Sequence, residues 1–209
     1  DPLTRLPNRQ AFELRLKDLG VASERDGSGL ALMFIDLDGF KPINESYGHQ
    51  SGDWLLNTVG QRLRAAARPG EFVARWGADQ FLLLTAGVRL RDPLSERARA
   101  LLQTIAEPME VLGRELPVQA SIGVAIFPDD GAAALLVAHA DAAAHAAKAA
   151  GGGTFCFFEP HMQHDSREQM ELLRDLRRAI AEQELELFYQ PKIHAPSGQI
   201  TGAEALIRW

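Results

Sequence analysis

Cysteine is almost missing from this 209-residue chain: Cys156 stands alone. No internal disulfide can form, so a reducing cytoplasm is the expected compartment. Blocks of one charge are missing too. The 28 acids and 22 bases give a formal charge of −6 and are spread along the chain, which argues against a nucleic-acid groove or an anionic membrane surface as partner. No apolar run approaches the ~18 residues of a membrane-spanning helix, no signal peptide opens the chain, and no internal repeat is visible. What remains is 46% hydrophobic and 24% charged, the make-up of an ordinary globular protein, with length for one domain plus extra elements. The opening "DPLTRLPNR" and the close "EALIRW" both break off mid-pattern, so a piece of a longer protein is expected.

The hydrophobic pattern orders the elements. "LPNRQAFELRLKDL" carries Phe12, Leu14, Leu16 and Leu19 near helical spacing. "LALMFIDLD" is a short, nearly continuous apolar run, the mark of a strand buried on both faces. "SGDWLLNTVGQRLRAAA" puts Leu55, Leu56, Val59 and Leu63 on one helical face, with Ser51 as candidate cap. "EFVARW" and "QFLLLTAG" read as two strands joined by "GAD"; "LSERARALLQTIAEPM" as a helix; "LPVQASIGVAIFP" as a strand; "LLVAHADAAAHAAKAA" as an alanine-rich helix stopped by "GGG"; "TFCFFE" as a last strand. This order predicts an α+β sandwich with one mixed sheet covered by helices. An amphipathic helix follows over about 161–184, with Met170, Leu173, Leu176 and Ile180 in one stripe, and then two strands, "LELFYQPKI" and "QITGAEALIRW". These strands carry Phe188, Tyr189, Leu206, Ile207 and Trp209, and are expected to pack on the domain or on a neighbouring molecule.

Several acids stand where chemistry could sit. Asp36 and Asp38 leave the buried strand at its C-terminal end, where hard carboxylate oxygens suit Mg²⁺. They could equally cap the helix that follows. That helix start, "DGFKPIN", offers backbone N–H groups and Lys41 to an anion. Asp79 at the hairpin tip completes a metal site if its strand pairs with the first, and is otherwise a solvated turn acid. His139 and His145 on the alanine-rich helix read as packing or surface residues, and His161 and His164 as polar linker surface.

"DPLTRLPNR", "FIDLDGFKPINESYGHQSGD", "RWGADQF" and "ASIGVAIFP…ADAAAHAAK" occur in the order and spacing of the GGDEF family, the diguanylate cyclases, which the chain resembles over about residues 1–158. The tail "FYQPKI…GAEALIRW" resembles the opening of an EAL domain, a cyclic-di-GMP phosphodiesterase built as a barrel. The expected domains are therefore 1–158 (GGDEF), 159–184 (linker helix) and 185–209 (the start of an EAL domain). The resemblance implies a palm-type, nucleotidyl-cyclase-like sandwich with a central, mainly antiparallel sheet. In that family two GTP-loaded domains face each other, and each 3′-hydroxyl attacks the partner's α-phosphate with Mg²⁺ neutralising charge. Carried over, Asp36 binds metal with help from the Ile35 or Leu37 backbone. Asn44 and Asp53 read the guanine edge, Phe40 and Lys41 form the phosphate loop, and Lys148 contacts phosphate. Glu204 matches a metal-binding glutamate of the EAL signature.

The signature itself departs from the pattern. Gly-Gly-Asp/Glu-Glu-Phe is here Gly77, Ala78, Asp79, Gln80, Phe81. Ala78 is expected to strain a turn that needs positive φ, as in a type I′ hairpin. Gln80 replaces a carboxylate with a neutral amide that neither charges a metal site nor acts as a base. Gly152 stands where the family has an arginine, and a bidentate phosphate grip is lost with it. At even ~2 kcal/mol each, three such losses slow the reaction by about four orders of magnitude. The family's product-inhibition motif, Arg-x-x-Asp, is left as the remnant "RPGE", Arg68 to Glu71, in which Glu71 is one methylene longer than the family's aspartate. Arg68 there is either a phosphate grip or a helix-end arginine before a Pro-Gly turn. The resulting expectation is a cyclic-di-GMP signalling fragment: a degenerate, catalytically silent module, GTP-binding with Mg²⁺, between an upstream sensor and its own EAL domain. The alternatives are a weakly active cyclase making cyclic-di-GMP from two GTP, and a dimerisation or docking domain that binds no nucleotide; a homodimer is a candidate assembly for each.

Overall fold

The computed structural model describes residues 1–88, 90–111 and 114–209; for 111, 114–115, 163–171 and 173 it describes the backbone alone. Two compact units result, Asp1–Gln163 and His164–Trp209.

The first unit is built on a five-stranded sheet. Its elements run α1 (Arg9–Asp26), β1 (Leu30–Asp38), α2 (Phe40–Tyr47), α3 (His49–Ala66), β2 (Phe72–Arg75), β3 (Gln80–Ala86), α4 (Arg91–Ala106), β4 (Met109–Val111), β5 (Arg114–Leu116), β6 (Gln119–Phe127), a 3-10 turn (Ala133–Leu135), α5 (Leu136–Ala149) and β7 (Phe155–Phe157). The sheet order is β2-β3-β1-β6-β7. β1 is antiparallel to both β3 and β6, and only the β6–β7 pair is parallel. This is the mixed, mainly antiparallel α+β sandwich the sequence predicts.

Strand β1 shows why its apolar run is continuous. Ala31, Met33, Ile35 and Leu37 join one core cluster with Leu55, Val59 and Leu63 of α3 and Leu101 and Ile105 of α4. Leu30, Leu32 and Phe34 join the other, with Phe12 and Leu16 of α1 and Ala140, Ala143 and Ala144 of α5. Side chains alternate along a strand, so a strand sandwiched between two helical layers is apolar at every position. The same parity puts Asp36 and Asp38 on the α5 face. The alanines of α5 have a steric reason: a Cβ on Gly123 of β6 would lie 1.9 Å from the Ala140 carbonyl oxygen and 2.2 Å from the Ala144 nitrogen. The helix backbone therefore rests directly on the sheet.

Three local expectations change. Ser51 is not a cap: α3 begins at His49, and the Ser51 hydroxyl donates back to the Tyr47 carbonyl at 2.8 Å. Helix α4 stops at Ala106, before Pro108, because the residue ahead of a proline is pushed out of helical geometry. Arg62 closes that end by donating to the carbonyls of Ile105, Glu107 and Pro108. The short β4–β5 hairpin that follows has no counterpart in the sequence reading.

Helix α6 (His161–Ala181) spans the boundary between the units, and β8 (Glu186–His194) pairs antiparallel with β9 (Gln199–Arg208). The side chains of His164, Met170 and Leu173 lie outside the described residues. Leu187, Phe188, Tyr189, Ile193, Ile200, Ile207 and Trp209 are each more than half exposed, so the cover expected for them does not come from within the hairpin. Among the described residues no helix is long and apolar enough to cross a membrane.

Candidate functional site

Asp36 and Gln80 are direct cross-strand partners on β1 and β3. Gln80 shares its parity with Leu82 and Leu84, which face the α1/α5 layer, so both side chains lie on one face. There Gln80 Nε2 donates to Asp36 Oδ2 at 3.3 Å, and Lys148 Nζ of α5 donates to Asp36 Oδ1 at 2.5 Å. Both oxygens of a carboxylate whose side chain is 11% exposed are thus engaged by donors of the chain itself. Burial alone would lower the Lys148 pKa, but its bond to Asp36 and the fields of Asp36, Asp38 and Asp79 carry it above the usual lysine value. Asp38 is satisfied separately: Ser121 Oγ donates to Oδ1 at 2.8 Å and the Gly153 N–H to Oδ2 at 2.9 Å. Beside them Gly152 has φ +73°, and a Cβ there would lie 2.7 Å from Asp38 Oδ2. The arginine position of the family pattern is thus occupied by a residue whose backbone and surroundings suit glycine.

The hairpin tip differs from the expected turn. Neither Gly77 nor Ala78 has positive φ, so the strain assigned to Ala78 is absent. The reason is length: β2 ends at Arg75 and β3 starts at Gln80, leaving four residues rather than two to turn the chain, and Trp76 and Gly77 both donate their N–H to the Gln80 carbonyl. Arg75 fastens the tip. Its Nε donates to the Gly77 carbonyl at 3.2 Å, its Nη2 to the Ala78 carbonyl at 3.0 Å, and its Nη1 to Asp1 Oδ1 at 3.0 Å. Asp79 lies alongside β1, its carbonyl accepting from the Leu37 N–H at 3.1 Å. Burial first, and the Asp36 charge second, raise its carboxyl pKa against the opposing pull of Lys148 and Arg75. Phe81 is fully buried. So is Ile35, whose side chain belongs to the core and which pairs with Phe81 and Ile122 in the sheet.

The proposed base-reading residues sit on α2 and α3. The Asn44 Oδ1 atom is buried without a hydrogen-bond donor among the described residues. It occupies a notch that exists because residue 52 is glycine: a Cβ there would lie 1.9 Å from it, and 3.2 Å from Phe40. Asp53 is exposed on the next turn, near enough to Arg75 for the two charges to act on each other. Lys41 stands away from the carboxylates, exposed and 3.8 Å from Glu45.

Other residues that the sequence singles out have partners of their own. Glu71 accepts from Arg97 Nη2 at 2.6 Å and Nε at 2.8 Å, and from the Arg68 N–H at 2.8 Å; the Arg68 side chain is exposed. Glu204 lies in the second unit, opposite Gln190 and 3.6 Å from Lys192. His139 is core packing: it stacks on Phe158 at 4.1 Å, and its Nδ1 meets the Asp130 carbonyl at 2.6 Å. His145 pairs with Asp141, whose hydrogen bond raises its pKa to about 9. Sequence reasoning passed over Arg75, Arg97 and Gly52. Arg75 was readable as the head of "RWGADQF"; Arg97 carried no local signal.

A divalent cation, which the resemblance implies, does not fit this donor set. Asp36 is filled by an ammonium and an amide, Gln80 turns a donor toward it, and Asp38 is filled by Ser121 and Gly153. Among the described residues no three His, Cys, Asp or Glu side chains are grouped to hold a metal ion.

The family description "Diguanylate cyclase, GGDEF domain" matches residues 1–154. The chain belongs to this family. It is 42% identical over 212 residues to the bifunctional diguanylate cyclase/cyclic di-GMP phosphodiesterase MucR of Pseudomonas aeruginosa, covering all of this chain and 30% of MucR. It is 34% identical to the cyclic di-GMP phosphodiesterase PdeR of Escherichia coli, covering 31% of that protein. The chain thus spans about a third of these relatives. Among solved structures, the GGDEF domain of PA1120 (TpbB or YfiN) from Pseudomonas aeruginosa superposes with a TM-score of 0.75 at 31% identity, over 80% of this chain and 98% of that one. The coiled coil and GGDEF domain of DgcB from Caulobacter crescentus, in complex with c-di-GMP, gives 0.70 at 25% identity, over 75% and 84%.

Proposed function

We propose that this GGDEF domain is a catalytically silent control module of cyclic-di-GMP signalling, which binds GTP and adjusts an EAL phosphodiesterase following it in the parent protein. The observation that carries the silence is the Asp36–Gln80 pair. Phosphoryl transfer needs positive charge concentrated at the reacting phosphates, and the residue facing Asp36 is an amide that donates to it instead of a second carboxylate. Retained binding is supported by Asn44 and Asp53, which match the family's guanine-reading pair and stand on the consecutive helices α2 and α3. Names of relatives support the setting: MucR is bifunctional, and PdeR is a phosphodiesterase. Under this reading the module is 1–158, the connector 159–184 and the start of the EAL domain 185–209, with Glu204 its first metal-binding acid. Control requires GTP to favour one of two connector arrangements, by at most its difference in affinity for them.

Calorimetric titration with GTP, followed by an assay for cyclic-di-GMP, tests the reading. Saturable binding without product supports it. Slow formation of cyclic-di-GMP overturns the silence and favours a weakly active cyclase, a reading to which the raised Asp79 carboxyl, a better base than an ordinary aspartate, lends its support. No binding leaves a docking domain.

A further inference from the structure

The surroundings of Asp36 are complete without an added ion. Asp36 Oδ1 has the Lys148 ammonium at 2.5 Å, and Oδ2 has the Gln80 amide at 3.3 Å. Gln80 is not incidental, because it stands directly opposite Asp36 in the strand register. A glutamate there would set two like charges face to face, which destabilises a cross-strand pair unless a cation lies between them. The amide removes that repulsion and contributes a hydrogen bond. Lys148 is equally well fixed: it projects from α5, whose backbone is seated against Gly123 of β6. Its ammonium carries three N–H donors, one of which Asp36 uses, leaving two for oxygens of an incoming anion.

We infer that Lys148 is the resident cation of this site: with the Gln80 amide it replaces the divalent ion at Asp36, and the site takes a nucleoside triphosphate without a metal. The triphosphate part of this inference rests on the nucleotide-binding reading above; the replacement of the metal does not. A compact ammonium held on a carboxylate is a single charge in place of two. It can hold a phosphate, but it supplies less of the charge that metal-assisted transfer draws on.

The test uses Mn²⁺ as probe, followed by its electron paramagnetic resonance signal on the whole 209-residue chain. The wild-type chain is expected to show no site tighter than about 1 mM, and Lys148→Met combined with Gln80→Glu to gain one at least about tenfold tighter. Lys148→Met alone, which keeps the neutral Asp36–Gln80 pair, is expected to gain a weaker one and guards against a double variant that fails to fold. A wild-type Mn²⁺ site whose affinity Lys148→Met leaves unchanged overturns the inference, as does a folded double variant that gains none. In a second arm, equilibrium dialysis measures GTP affinity in EDTA and in Mg²⁺. Equal affinities, within about twofold, are expected, and a requirement for Mg²⁺ overturns the metal-free site. If GTP binds in neither, the nucleotide reading fails while the Mn²⁺ titration still decides the role of Lys148.

Discussion

Arg97 of α4 holds Glu71 through two nitrogens, with Nη2 2.6 Å and Nε 2.8 Å from its oxygens, and both side chains are only 6% exposed. The same guanidinium caps α3 through the Ala66 carbonyl at 2.8 Å. The carboxylate that the family pattern would offer to a cyclic dinucleotide is thus part of the framework joining α3, β2 and α4. Removing one member leaves a buried charge without its partner. Arg97→Met is expected to cost about 3 kcal/mol of unfolding free energy, and pairing it with Glu71→Leu to recover much of that loss. Urea denaturation of both variants checks this; a loss below about 1 kcal/mol for the single change would mean the pair is solvated.

The geometry of the tip and of Gly152 separates two substitutions that sequence alone would group together. Ala78 already lies outside the positive-φ region, so Ala78→Gly relieves no strain and is expected to alter stability by less than about 1 kcal/mol. Gly152→Arg forces a side chain into φ +73° and toward an Asp38 carboxylate already held by Ser121 and Gly153. A loss of about 1–2 kcal/mol is expected. Denaturation midpoints measured side by side decide the matter. Equal effects of the two changes would contradict the described loop.

His145 should titrate far above an ordinary histidine. Its pKa of about 9 comes first from the Asp141 side chain, 3.4 Å from Nδ1, with burial opposing and the Asp141 backbone carbonyl at 3.0 Å adding to the rise. A value raised in the folded state means that the native chain holds the proton more tightly. The stabilisation is therefore full below the unfolded value of about 6.5 and is lost as pH rises through about 9. The side chain is 66% exposed, so solvent screening keeps the effect on stability small and the titration itself is the better readout. The ring-proton chemical shift of His145 is expected to have its midpoint near 9, and Asp141→Asn to lower it by removing the carboxylate while the backbone carbonyl contact stays. A midpoint near 6.5 in the unmodified chain would show that Asp141 does not hold the ring.

Much of the fold was readable in periodicity because the burial itself is periodic. "LALMFIDLD" is apolar at each position until its acids, as a strand between two helical layers must be, and the structure places it at the centre of the sheet. The candidate site was readable only in part. Asp36, Asp38 and Asp79 could be placed at strand ends from sequence, but the partner of Asp36 lies 112 positions away on α5, and no local pattern announces that Lys148 points back to it. The tip misled for a related reason. The sequence pattern reads Trp76 as strand and "GAD" as a tight turn, whereas β2 ends at Arg75 while β3 starts at Gln80 as read, so four residues turn the chain. Three-residue strands such as β4 and β5 are too short for alternation to register.

Gly123 has a consequence for the time scale on which the site can respond. At Gly123 the peptide groups of Ala140 and Ala144 sit against bare strand backbone, so α5 has no room there to settle further. Rearrangement around Asp36 then falls to the four-methylene arm of Lys148, itself 43% exposed. Side-chain rotation of that kind takes picoseconds to nanoseconds, whereas sliding a packed helix takes microseconds or longer.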